Sequence, residues 1–356
     1  MDVAENQPLV SIVVDNFNYG RFLRAAIDSA LAQTYSRLEV IAVDDGSTDN
    51  SREVISSYGA RVSAIFKPNG GHASAFNAGF HASHGSIVMF LDADDALLPN
   101  AVEEVVRAWR PGVAKVQFVL AHIDQNGRAL GTTVPYLPAL MPDGDIRASI
   151  LDAGGYVGVP TTGNAFARTV LDRIMPLQES NWRQAADTSL EIIAPFLGDV
   201  VSLRKTLGCY RIHESNHGML GDELDSRKLR VKIVIDLQRE WALSEFARRS
   251  GFTIPRNWTA REAAHLKYRL ASLRIDPAHH PLTDDRPMRL MLMGLRASWR
   301  NSGYNFRSRL FHTIWFPLAA LLPQAAAAKI IRRGLIPARR PRAASEFRDT
   351  ALQTPR

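Results

Sequence analysis

The chain has 356 residues, with hydrophobic residues at 46%, charged residues at 22%, 23 Gly and 19 Pro. That composition excludes a disordered, collagenous or mucin-like chain, and the length suits one large domain plus an extension. The single cysteine, Cys209, excludes a disulfide framework and a cysteine-rich zinc site, and it fits a reducing compartment. The net charge of +7 is a difference between two unlike regions: residues 1–220 hold 17 Lys and Arg against 24 Asp and Glu, a balance of −7, and the remainder holds 26 against 12, a balance of +14.

The polar, acidic stretch 1–7 and the short apolar run after it, interrupted at Asp15, have no secretory leader pattern. Residues 9–14 (LVSIVV) read as a buried parallel strand, and 21–33 as a helix with Phe22, Ala26, Ile27, Ala30 and Leu31 at helical spacing. Residues 38–43 are a second strand ending in Asp44-Asp45-Gly46-Ser47, followed by a helix over 51–58. Residues 62–66 form a third strand stopped by Lys67-Pro68-Asn69-Gly70-Gly71, 73–81 a helix, and 86–91 (SIVMFL) a fourth strand running into Asp92-Ala93-Asp94-Asp95. A helix over 100–110, a strand over 115–123, a helix over 186–196 and a strand over 200–210 complete an alternation that predicts an α/β fold with a mostly parallel sheet. From about residue 225 the pattern turns helical, with Leu229, Ile233, Leu237, Trp241 and Leu243 between Lys and Arg. Residues 311–331 are the most apolar late stretch, but Pro317, Pro323, Gln324 and Lys329 suit a surface-lying segment better than a spanning helix.

Ligands gather at the carboxyl ends of parallel strands, and two of the first four strands end in acidic clusters. Three carboxylates at Asp92, Asp94 and Asp95 repel one another unless a cation sits among them, and their hard oxygens suit Mg²⁺ or Mn²⁺. The competing reading is a helix N-terminus, where acidic residues favour the dipole. Asp44-Asp45-Gly46-Ser47 reads either as a carboxylate facing a base or ribose, or as a turn with an Asp cap. Gly70-Gly71 before a helix offers backbone N–H groups to a phosphate. By composition and spacing, Asp187 is an ordinary helix cap and His213 an ordinary residue after a strand.

Seven stretches in order give a more specific signal: VVDNFNYGRFLRAAIDSALAQTY (13–35), VDDGSTDNS (43–51), NGGHASAFNAGF (69–80), FLDADD (90–95), TTGNAFART (161–169), ADTSLEIIAPFLG around Asp187, and YRIHESNHG (210–218). Together they resemble glycosyltransferase family 2, inverting enzymes of GT-A fold, over about residues 8–220. The resemblance implies that Asp15, Asn16 and Asp45 line the nucleotide, with Asn77 among the donor-binding residues. It implies that Asp92 and Asp94 hold a divalent metal, Mg²⁺ or Mn²⁺, with His213 completing the site and Asp95 contacting metal or donor sugar. Asp187 then matches the catalytic base. Ala186 stands where the family often has Glu, Asp15 where Pro is frequent, and no Gln-X-X-Arg-Trp signature of processive synthases is present. The implied activity is a single hexosyl transfer from a nucleotide-sugar, UDP-sugars first among them, to a glycan or lipid-linked acceptor in surface polysaccharide assembly.

Residues 221–356 are expected to form a basic helical extension. Its Phe311–Phe316 aromatic run and Arg332, Arg333, Arg339, Arg340 and Arg342 suggest an anionic membrane surface on the cytoplasmic side as a partner. The other reading packs these helices on the catalytic domain. Nucleic acid is not expected, because the acidic first region repels phosphates. Two rival functions are a non-catalytic nucleotide-sugar-binding scaffold and a nucleotidyl- or dinucleotide-dependent enzyme. The latter wants Gly-X-Gly-X-X-Gly where this chain has Asp15-Asn16-Phe17-Asn18-Tyr19-Gly20.

Overall fold

The computed structural model describes residues 7–213, 225–300 and 304–335. Arg339, Arg340, Arg342 and the end of the YRIHESNHG stretch lie outside the described residues. The chain divides into two compact units, one of residues up to 146 with 157–213, the other of 147–156 with the described residues from 225 to 335.

The first unit runs β1 (Val10–Asn16), α1 (Gly20–Leu31), β2 (Leu38–Asp44), α2 (Ser51–Ser56), β3 (Ser63–Phe66), α3 (His72–Ala82), β4 (Ile87–Asp92), β5 (Ala96–Leu97), α4 (Ala101–Ala108), β6 (Val113–Ile123) and β7 (Ala129–Val134). After α5 (Arg147–Ala153), which belongs to the second unit, it continues with β8 (Asn164–Ala167), α6 (Arg168–Ile174), α7 (Asp187–Ile193) and β9 (Asp199–Arg211). The sheet order is β3-β2-β1-β4-β8-β6-β9-β5, with β7 on β6. The first four strands are parallel, as the alternation predicts, and β6 and β9 are also parallel. Antiparallel β8 joins these two sets; its four residues are too short to show a period, so the sequence carries no strand signal there.

Register brings the acidic residues together. Parallel strands end at one edge, so Asp15 lies beside Asp92 and Asn16 beside Asp44. The strands are held between apolar layers: Val10, Ile12, Val13 and Val14 of β1 are fully buried, and α1 covers one face with Phe22, Leu23, Ala26, Ile27 and Ala30. Each buried Val, Leu, Ile or Phe side chain among them contributes roughly 1.5–3 kcal/mol. On the other face α3 approaches β1 closely at Gly79, where an added Cβ would meet Val13 Cγ1 at 2.2 Å. That close approach sets where the start of α3 falls over the strand ends.

The second unit is helical: α8 (Ser226–Ser250), α9 (Ala263–Ile275), α10 (Pro287–Arg300), α11 (Phe306–Leu321) and α12 (Gln324–Leu335). Leu229, Leu266, Leu270, Leu290, Trp315 and Phe316 form its core. Buried Trp258 donates from Nε1 to the Ile150 carbonyl at 2.8 Å, which ties α5 into this unit. No helix among the described residues is long and apolar enough to cross a membrane. The apolar 311–331 stretch is two helices, interrupted at Leu322-Pro323.

Candidate active site

At the end of β4 the chain turns sharply. The Asp95 N–H donates to the Asp92 carbonyl at 3.0 Å, and the Ala93 N–H ties the turn to the Asp15 carbonyl of β1 at 3.2 Å. The turn removes the alternation of a strand, and carboxylate oxygens of Asp92, Asp94 and Asp95 all come within 4.8 Å of one another. Helix α4 begins only at Ala101, after β5, and its first turn carries Glu103 and Glu104. The acidic turn is therefore not the N-terminus of that helix.

The three carboxylates differ in setting. Asp95 is buried and anchored, accepting from Thr162 Oγ1 at 2.7 Å and from the Arg211 N–H at 2.9 Å. Asp94 Oδ2 lies 2.8 Å from Nε2 of His213, a side chain with no solvent exposure that packs against the rings of Tyr19 and Phe22. Asp92 is the most open of the set, at 25% side-chain exposure. Asp15 adds a fourth carboxylate, whose Oδ1 is buried without a hydrogen-bond partner. Burial, then the neighbouring Asp94, pushes the Asp15 pKa well up. Burial and Asp15 do the same to Asp92, and burial and Asp94 to Asp95. Burial followed by Asp94 pushes the Tyr19 phenol up to about 12. Like charges crowded out of water are costly, and a hard divalent cation is the partner that such oxygens, with one imidazole nitrogen, accept. The donor set thus fits Mg²⁺ or Mn²⁺.

The sequence singled out neither His72 nor Lys115. His72 opens α3 directly after Gly70-Gly71 and stands edge-on to Phe76, ring centroids 4.3 Å apart. Its Nδ1 accepts the Ala186 N–H at 3.1 Å, which places the ring proton on Nε2. That atom faces Asp15 Oδ2 at 3.5 Å and Asp92 Oδ1 at 4.0 Å. Position next to the glycine pair was the available signal. Lys115 is a lone lysine within an apolar strand and is fully buried, and burial lowers its pKa to about 8 against the pull of Glu191 and Asp187.

Asp187 begins α7 beside this cluster. The segment before it docks on the start of α3: the His72 N–H donates to the Arg183 carbonyl and the Ala73 N–H to that of Trp182, both at 3.0 Å. Asp187 is near enough that its charge raises the pKa values of Asp15 and Asp92. Asp15, Asp92, Asp94, Asp95, His213 and Asp187 therefore share one end of the sheet.

The two carboxylates after β2 divide their work. Asp44 makes the turn, accepting from Asn16 Nδ2 at 3.0 Å and the Ser47 N–H at 3.3 Å. Asp45 turns the other way, accepting from Lys67 Nζ at 2.6 Å and from the N–H groups of Gly70 and Gly71 at 3.0 and 2.7 Å. Gly71 has φ of +90°, which lets its N–H reach the carboxylate. The expectation that the glycine N–H groups stand free for a phosphate is corrected: Asp45 occupies them. Asn77 points elsewhere, its amide bonded to the backbone of Leu177 through Nδ2 at 2.9 Å and Oδ1 at 2.8 Å.

A doubly wound, mostly parallel sheet with an acidic, metal-suited turn at its carboxyl edge is the arrangement that the family 2 resemblance implies. Residues 11–171 match the family Glycosyl transferase family 2, so this segment is a family 2 glycosyltransferase domain. An uncharacterized glycosyltransferase of Nostoc sp. is 38% identical over 216 residues, 59% of this chain and 66% of that protein. A chondroitin synthase of Pasteurella multocida is 48% identical over 99 residues, 27% of this chain and 10% of that protein. The chain thus spans just under two thirds of the first relative and a small part of the second. Among solved structures, S. aureus TarS 1-349 in complex with UDP-GlcNAc is similar at 15% identity and a TM-score of 0.49, over 91% of this chain and 89% of that one.

Proposed function

We propose that this protein is a metal-dependent inverting glycosyltransferase that moves one sugar from a nucleotide diphosphate-sugar to a glycan or lipid-linked acceptor. The observation that carries the proposal is the convergence at one sheet edge of Asp15, Asp92 and Asp94, which lie within the family 2 match of residues 11–171, with Asp187, which lies beyond it. Asp92 and Asp94, with His213, would hold the divalent ion, which when bound offsets charge on the leaving diphosphate. Asp95 keeps the turn in place through Thr162 and Arg211. Asp15, Asn16 and Asp45 stand at the ends of β1 and β2, where the nucleotide is received. Inversion requires a base on the face of the sugar opposite the leaving group, and Asp187 takes the proton of the acceptor hydroxyl. His72, oriented by the Ala186 backbone just before Asp187, keeps a donor directed at Asp15 and Asp92.

The second unit suits peripheral placement on an anionic, cytoplasmic membrane face. Phe306, Leu310 and Ile314 form an exposed stripe at four-residue spacing on α11, and Met288, Leu292 and Trp299 are exposed on α10. The test of the catalytic reading is a panel of UDP-, GDP- and dTDP-sugars with Mn²⁺ or Mg²⁺, read by thermal shift and donor turnover. One nucleotide-sugar should bind and turn over with metal and not with EDTA; no binding by any of them sinks the proposal.

A further inference from the structure

The second unit holds a cavity of about 480 Å³ whose lining includes Lys267, Tyr304, Arg307, Ser308, Phe311 and His312, with no carboxylate among the described lining residues. Lys267 reaches it from α9, its ammonium 5.3 and 5.4 Å from the ring centroids of Phe311 and Trp315. One of its three donors is used on the Gly334 carbonyl at 3.0 Å. Burial pushes its pKa down to about 8, and no acidic side chain among the described residues offsets the charge. His312 is 6% exposed, and its Nδ1 has no hydrogen-bond partner. Burial and the Lys267 charge push its pKa down to about 4, which keeps the ring neutral and able to donate from one nitrogen. Burial, followed by the charge of Glu262, which is itself paired to Arg239, pushes the Tyr304 phenol up, so it too stays a donor.

A desolvated ammonium, a guanidinium, two hydroxyls and a buried imidazole, with no carboxylate among the described lining residues, are complementary to an anion with several acceptor oxygens. Phosphate esters have that chemistry. The neighbours of Arg307 and Ser308 on α11 are Phe306 and Leu310, 69% and 47% exposed, so the cationic cavity adjoins an apolar stripe. We propose that this cavity binds the phosphoryl head group of an anionic membrane lipid while the stripe on α11 meets its acyl region. The proposal rests on the peripheral-membrane reading above and gives it a specific site.

Flotation of the full-length protein with phosphatidylcholine vesicles, with and without phosphatidylglycerol, tests both. The wild type should float with phosphatidylglycerol. Lys267→Met, which keeps the stem and removes a buried charge, should retain thermal stability and nucleotide-sugar binding yet lose at least about tenfold in vesicle affinity. Generic loss of one surface charge costs about fivefold or less, and Arg289→Met on α10 is the control for that effect. Equal losses in the two variants would overturn the cavity and leave the membrane reading standing. Failure of the wild type to float would overturn both the membrane reading and a lipid source. Binding of soluble glycerol phosphate in that case, if abolished by Lys267→Met, would assign the cavity to soluble phosphate esters instead.

Discussion

Asp95 and Asp285 are almost equally buried carboxylates in different units, and their proton affinities move in opposite directions. Burial raises both. At Asp285 hydrogen bonds from His280 and from Arg269 outweigh it, with His280 Nε2 at 3.0 Å and Arg269 Nε at 2.9 Å, and its pKa falls to about 2. At Asp95 the bonds from Thr162 and Arg211 do not outweigh burial and the adjacent Asp94, and the pKa rises. The same contrast extends to whole regions. The helical unit pairs its acids internally, as in Arg239–Glu262 at 2.6 Å and His265–Asp236 at 2.8 Å. At the sheet edge Asp15, Asp92 and Asp94 lie close together, with imidazoles as their recorded ion-pair partners. Paired acids serve stability, whereas on the proposed function acids held in mutual repulsion would serve a charge that arrives from outside.

The largest effect that would sharpen this contrast is functional. Asp187→Asn should lower kcat for transfer by ~10²–10⁴ while nucleotide-sugar binding and melting temperature stay the same. Unchanged turnover would remove Asp187 from the role of base. In the helical unit the corresponding loss is structural: Asp285→Ala leaves Arg269 and His280 buried without their shared anion, and should cost about 3–5 kcal/mol in chemical denaturation. A small change would mean that water replaces the carboxylate and that the pairing is not what holds this unit together.

Acid should separate the two regions. Asp285 has a folded pKa of about 2, below its unfolded value near ~3.9, so its stabilisation is complete above the unfolded pKa and is lost as pH falls toward the folded one. That loss amounts to about 2–3 kcal/mol. Asp15, Asp92 and Asp95 are raised instead, so without metal they destabilise when ionised, and protonating them as pH falls from neutral should strengthen the sheet unit. Saturating Mn²⁺ should supply comparable relief at neutral pH, about 2.7 kcal/mol at a hundredfold excess over Kd. Thermal melts at pH 7.5 and 5.5, with Mn²⁺ or EDTA, check the sheet edge, and melts of the wild type and Asp285→Asn carried down to about pH 3 check Asp285. A Mn²⁺ shift that survives Asp92→Asn combined with Asp94→Asn would place the ion elsewhere.

Much of the first unit was legible because its signals are local. β1, β2 and β4 are β-branched or apolar runs ended by turn residues, and Asp92-Ala93-Asp94-Asp95 is visible as a motif wherever the chain folds. What escaped depends on distant partners. Whether Asp44 or Asp45 makes the turn is decided by Gly70 and Gly71, more than twenty residues on, and the role of His72 by Ala186. The membership of 147–156 in the helical unit depends on distant partners such as Trp258 at Ile150, Arg261 at Leu151 and Arg239 at Gly154. Asp187 has no distinguishing chemistry in its own neighbourhood, and only the family resemblance picks it out.

The smallest predicted effect concerns a third kind of carboxylate. Asp225 precedes α8, and its Oδ1 accepts the Arg227 N–H at 2.8 Å, a capping bond near the surface. Such a cap needs an acceptor oxygen, not a charge, because the orphan is a backbone N–H. Asp225→Ala should therefore cost about 1 kcal/mol, while Asp225→Asn should be close to neutral. Neither should change the response to Mn²⁺. At Asp92 and Asp94, by contrast, Asn keeps an oxygen but removes the charge, and should weaken Mn²⁺ binding by at least about tenfold. If Asn were equally well tolerated at Asp94 and at Asp225, the sheet-edge carboxylates would be acting as hydrogen-bond acceptors, and the distinction between paired acids and acids awaiting a cation would fail there.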